Sequence, residues 1–203
     1  MKKLVSILVL LTLLLFSSCS SCSKNEPVAN EPVQIIPEKF IASNMEEMFI
    51  NYEKDFVWYT TTVVLKDSLN EAEHFDIESI NSIFQVSSDT PEVVIFNYEN
   101  EVFTNTTLKG HWMECFPLNY SDVELTFKEA YDKLMESNYP KPHSRNITLR
   151  KAIGPNVCNP QYIFGNNKYQ LFVDAVTGEV TDVDPVFGEN IDYLQGFKND
   201  YYI

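Results

Sequence analysis

The clearest helical pattern in the chain follows Thr126-Phe-Lys-Glu129, a capping box in which a threonine hydroxyl and a glutamate three residues on exchange bonds with the first free N–H groups. Phe127, Ala130, Tyr131, Leu134 and Met135 continue it at i, i+3, i+4, i+7 and i+8, so one apolar stripe faces a core. Tyr139-Pro-Lys-Pro142 ends the helix, because a residue before proline is driven out of the α region. A second capping box, Ser43-Asn-Met-Glu46, predicts another helix, with Met45, Met48, Phe49 and Tyr52 on its buried side. Between the two helices, Phe56-Val-Trp-Tyr-Thr-Thr-Thr-Val-Val-Leu65 is rich in aromatic and β-branched residues and predicts a strand. The stretch 75–84 places Phe75, Ile77, Ile80, Ile83 and Phe84 at spacings that favour a short helix. Stretches 92–98 and 101–108 predict a hairpin turning at Glu99-Asn100, with Pro91 as the breaker in front. After the second helix, strands are expected over 146–153, 157–164 and 168–174, with a short one over 179–183. Tyr169, Leu171 and Val173 alternate with Lys168, Gln170 and Asp174, the period of a strand with one buried face. Gly165-Asn166-Asn167 and Thr177-Gly178 supply the turns. All six glycines lie at Gly110 or beyond, so the first half lacks the residue that makes tight turns easiest.

The N-terminus has another character. Residues 1–22 carry two lysines, an apolar run over 4–16 broken only by Ser6 and Thr12, and then small residues. Thirteen residues fall short of the roughly 20 that a spanning helix needs, so the segment reads as a secretion signal. With a cysteine straight after Ser17-Ser18, it resembles the signal of a bacterial lipoprotein, which implies acylation of Cys19, with Cys22 as the alternative; an ordinary secretory signal is the other reading. Residues 19–39 carry Pro27, Pro32 and Pro37 five apart and nearly repeat Asn-Glu-Pro-Val, which suits an extended tether of up to about 60 Å at about 3.1 Å per residue. The domain plan is thus a signal over 1–18, a tether over 19–39, an α+β half over 40–118, a second unit over 119–184 and an extension over 185–203.

Composition sets outer limits. The 203 residues are 44% hydrophobic, enough for a packed core, and the formal charge is −14. Loss of Lys2 and Lys3 with the signal makes it −16 on 185 residues. A nucleic-acid partner is excluded on that balance, since such binders neutralise phosphates with clustered Lys and Arg.

The helix Leu125-Thr-Phe-Lys-Glu-Ala130, the strands after it and the closing Val173-Asp-Ala-Val-Thr-Gly-Glu-Val180 together resemble the PepSY and PepSY-like domains of bacterial exported proteins, over about 123–184. Within that hairpin Asp174 is placed to accept turn N–H bonds and Gly178 to turn left-handed. The resemblance implies an α+β fold with a helix packed on an antiparallel sheet. It also implies a non-catalytic role in the cell envelope, restraining a protease or binding another protein or peptide. The first half, helix then strands, is open to reading as a diverged second copy.

Candidate chemistry is thin. Cys115 and Cys158 are candidates for a disulfide, worth about 3–4 kcal/mol for a 43-residue separation, with two separate thiols as the alternative. His111, Glu114 and Cys115 are zinc-compatible in type, but strand alternation puts Glu114 on the other face, and no metal is expected. Asp174, Glu179, Asp182 and Asp184 lack the regular spacing of a calcium loop. With no Gly-x-Ser-x-Gly elbow and no framed Cys–His pair, neither catalytic residues nor a cofactor are expected. Trp58, Tyr59 and Trp112, with Tyr201-Tyr202, are the candidate partner-contacting residues, for a protein or, alternatively, a glycan; core packing is the competing role of the tryptophans.

Overall fold

The computed structural model describes residues 35–53, 55–156 and 158–188. The signal, Cys19, Cys22, the tether up to residue 34 and Tyr201-Tyr202 lie outside them. Helix α1 (Pro37–Tyr52) is followed by strands β1 (Phe56–Leu65), β2 (Ile77–Val86), β3 (Glu92–Glu99) and β4 (Val102–Lys109). The short β5 (Cys115–Phe116) and a single 3-10 turn lead to helix α2 (Phe127–Glu136), and β6 (Asn146–Ala152), β7 (Gln161–Asn166), β8 (Tyr169–Asp174) and β9 (Val180–Thr181) complete the order. All pairings are antiparallel, and the sheet runs β4-β3-β2-β1-β6-β7-β8-β9, with β5 joined to β6. The fold is therefore α+β. The halves at 40–118 and 119–184 share one sheet, because β1 pairs with β6 from Thr60↔Arg150 to Val64↔Asn146.

Both helices serve the same core. α1 buries Phe40, Ile41, Asn44 and Met48, and α2 buries Phe127, Ala130, Tyr131 and Leu134. Under them lie Val63, Leu65, Ile80, Phe84, Ile147, Leu149, Tyr162, Phe164, Leu171 and Val173. The α2 capping box forms as the spacing predicts: Glu129 N donates to Thr126 Oγ1 at 3.1 Å and Thr126 N to Glu129 Oε2 at 2.8 Å. Tyr162, buried against Phe127 at 4.9 Å between ring centroids, donates to Leu125 O, and burial pushes its phenol pKa far above the ordinary range.

Three expectations need correction. α1 starts at Pro37, whose fixed φ suits a first helical position, and not at Ser43, which lies inside the helix. The last residues assigned to the tether are thus its first turn, and Glu38 there accepts a 2.7 Å bond from Phe127 N at the start of α2. Stretch 75–84 is not a helix: from Ile77 it is β2. A register shift between Val64↔Ser79 and Leu65↔Ile77 breaks the alternation, and Ile83, on the opposite face from Ile80 and Phe84, is also buried. Apolar residues on both faces of an irregular strand imitate a helical period. Finally, the strand expected from 157 begins only at Gln161, after Pro160, which has no N–H for a ladder.

Candidate functional site

A sheet edge is a row of backbone donors and acceptors awaiting partners, and the two edges here differ. At one end β9 is two residues long. At the other, β4 is eight residues long and exposed at every position. Its sequence, Val-Phe-Thr-Asn-Thr-Thr-Leu-Lys, carries no charge before Lys109 and no proline, the devices that ordinarily blunt an edge. Pairing with β3 through Tyr98↔Phe103 and Val93↔Leu108 puts Phe103 and Asn105 on the helix side and Val102, Thr104, Thr106 and Leu108 on the other.

The hairpin that presents β4 turns through Asn100 and Glu101, both at positive φ (51° and 64°), the conformation of a two-residue turn whose twist matches its strands. Beside it runs a groove of about 560 Å³ between α1 and the strand, with Phe40, Phe96 and Phe103 as apolar lining and Ser43, Asn44 and Glu47 as polar lining. Phe40 and Phe103 stack at 6.0 Å, and Asn105 Nδ2 donates to Glu47 Oε1 at 3.0 Å, tying the edge to the helix. Asn44 is 6% exposed, and among the described residues its Nδ2 has no hydrogen-bond partner. A buried amide left unpaired costs stability, and a ligand carbonyl entering the groove would remove that cost.

The aromatic candidates do not gather at this site. Trp58 is 2% exposed, and its Nε1 donates to Thr60 O at 3.2 Å and Thr61 Oγ1 at 3.1 Å. Thr61 in turn bonds Ser82 at 2.7 Å, so the indole belongs to a buried polar network. Tyr59 and Trp112 are half-buried, and Trp112 N donates to Gln85 Oε1 at 2.7 Å as the 110–118 segment crosses from β4 toward β6. No family model matches the chain, and no curated protein or solved structure matches it.

Cys115 and Cys158 are free thiols, without the disulfide weighed from the sequence. Cys115 Sγ donates to Tyr59 O at 3.3 Å, and burial raises the pKa of both thiols, which disfavours the reactive thiolate. His111 sits 3.3 Å from Gln85 and not against a metal-binding neighbour; among the described residues no three of His, Cys, Asp and Glu converge as ligands. Nor is any helix among them long and apolar enough to cross a membrane.

Asp174 performs the turn role its motif suggests. Its carboxylate accepts from Val176 N and Thr177 N at 2.9 Å, from Gln161 Nε2 at 3.1 Å and from Asn159 Nδ2. Partial burial works against ionisation, but these donors outweigh it and hold the carboxyl below its ordinary 3.8. A depressed folded pKa contributes stability above the unfolded value and loses it as pH falls through the folded one. Asp174→Asn is therefore expected to cost about 1 kcal/mol at neutral pH, limited by solvent screening, and the gap from wild type to narrow as pH falls below the ordinary 3.8 and through the lower folded value. Urea titrations of both proteins across that range measure it.

Proposed function

We propose that the protein is a lipid-anchored envelope lipoprotein whose α+β domain binds an extended peptide segment of a partner protein by strand addition at β4. The observation that carries this reading is the edge itself: eight exposed residues, uncharged until the last, beside a groove that holds an unpaired buried amide. Strand addition takes affinity from main-chain bonds and selectivity from pockets for alternate side chains, and the groove offers such a pocket on the helix side of β4. Glu46, Glu47, Glu99 and Glu101 are exposed around the edge, so the segment that fits alternates apolar residues with Lys or Arg.

The anchor rests on the signal and Cys19. Each helix is followed by a four-strand antiparallel meander, and the meanders join through their first strands; this recurrence supports reading the domain as two PepSY-like units, the role of such units being restraint or capture of another protein. The alternative glycan-binding reading loses its leading residue, because Trp58 is sequestered in the core.

Ten-residue peptides selected from a random library against the domain are expected to be rich in alternating apolar and basic residues. A Val102→Lys, Leu108→Lys double variant places charges on the edge and is expected to weaken them about tenfold or more, with an unchanged melting temperature. Equal affinity for the double variant would remove β4 from the account.

A further inference from the structure

The sequence of β4 matches itself when read in the opposite direction, and its backbone says where such a match would form. The two-residue turn makes Glu99↔Val102 the closing hydrogen-bonded pair, and past the far end of the strand Gly110 N donates to Pro91 O at 2.8 Å. Val102, Thr104, Thr106 and Leu108 therefore turn their N–H and C=O groups toward β3, and the residues between them turn theirs outward, where no strand lies beside them among the described residues. The side chain of Asn105 is drawn toward α1 by Glu47, which keeps it off the outer edge.

A second β4 laid antiparallel along this edge can take registers only in steps of two residues, since outward groups must meet outward groups. One of these registers centres on Asn105, so that the two copies of this residue exchange both backbone bonds across a two-fold axis. It sets Val102 opposite Leu108 and Thr104 opposite Thr106 on each side of the axis. Val102 and Leu108, 56% and 51% exposed, then cover each other, and the threonines meet as a hydrogen-bonding pair. One position before the strand, Glu101 comes opposite Lys109, the charged residue that ends β4. Both are exposed, and neither forms an ion pair among the described residues. A shift of two residues either way sets Leu108 against Asn100 or Thr104 and takes Glu101 away from Lys109. Apolar, hydroxyl and charge matches thus agree on one register, the self-complementarity that a two-fold contact needs.

Like charges oppose the pairing. Each copy carries −14, and Glu46 and Glu47 rim the edge, so the dimer is weak, populated at about 100 μM and dissociated at about 1 μM. The same glutamates attract a basic segment, which ranks the two occupants.

We propose that β4 pairs with the β4 of a second copy about a two-fold axis through Asn105, and that this pairing masks the edge until a basic peptide segment displaces it. The pairing rests on the reading of β4 as an edge that accepts a strand, and it regulates that same site.

Sedimentation velocity of the full chain from about 1 to about 300 μM tests it, with Glu101→Lys and Lys109→Glu studied singly and mixed. Either reversal alone sets like charges opposite at both ends of the pair and is expected to weaken self-association about tenfold. The equimolar mixture sets unlike charges opposite at both ends and is expected to recover at least the wild-type affinity as a mixed dimer. Association through another surface, the apolar run over 4–16 included, would not follow these signs. A library-selected peptide is expected to convert the wild-type dimer to a 1:1 complex. A wild-type chain that stays monomeric at about 300 μM, single variants that associate like wild type, or a mixture no tighter than its components would overturn the pairing. Peptide capture at β4 by such a monomeric chain would leave strand addition standing, whereas a dimer that obeys the charge swap but captures no peptide would keep the pairing and overturn its displacement.

Discussion

Phe84→Ala is expected to destabilise the domain by about 3–5 kcal/mol, the range for emptying a fully packed aromatic site. Phe84 is completely buried in β2, where its ring meets Phe96 edge-on at 5.7 Å and Phe56 at 6.2 Å. Its backbone is held on both sides, opposite Trp58 in β1 and Val94 in β3, so the walls of the cavity belong to three hydrogen-bonded strands and cannot close in to fill it. Urea denaturation of the wild type and variant measures the difference; a cost under about 1 kcal/mol would mean that the helix-facing side of β2 is not the packed centre described.

Gly165→Ala is expected to cost about 2–4 kcal/mol, from a different cause. Gly165, the residue before the last of β7, has φ +127°, a conformation that side chains rarely adopt. A Cβ there would stand 2.2 Å from Tyr169 O and 3.0 Å from Gln170 Cα, both backbone atoms of the strand it pairs with, so no side-chain rotation relieves the contact. The β7–β8 hairpin would have to shift. Gly110, with open space around its Cβ position, provides a control, since Gly110→Ala retains the φ strain but adds no clash. The same urea measurement should place Gly165→Ala well below Gly110→Ala, and equal costs would show that β8 does not approach Gly165 so closely.

Legibility of the fold followed the physics of each segment. β1 and α2 were readable because each obeys one rule over its whole length: β-branched and aromatic residues from Phe56 to Leu65, and a capped 3.6-residue stripe from Phe127. β2 was not, since a register shift and a second buried face at Ile83 scramble its alternation. α1 was displaced by Ser43 and Glu46, which form a cap-like pair that the chain does not use. Its true start depends on Pro37 and on Glu38 reaching Phe127, a contact across 89 positions that no local pattern contains.

The candidate site was less legible for a related reason. Trp58, Tyr59 and Trp112 are contact-forming by residue type, but burial assigns Trp58 to a network with Thr61 and Ser82. The β4 edge, by contrast, is defined by the lack of a further strand beside it among the described residues, which only the strand order reveals. The uncharged run from Val102 to Leu108 does not mark it in the sequence, since longer uncharged runs occupy 56–65, 79–88 and 152–167.

Backbone amide hydrogen exchange of β4, with and without a library-selected peptide, tests strand addition most directly. In the free protein the outward-facing amides between Val102 and Lys109 should exchange rapidly, and on binding they should become protected while exchange in β9 stays unchanged. Protection that appears elsewhere and leaves β4 as fast as in the free protein would contradict the account.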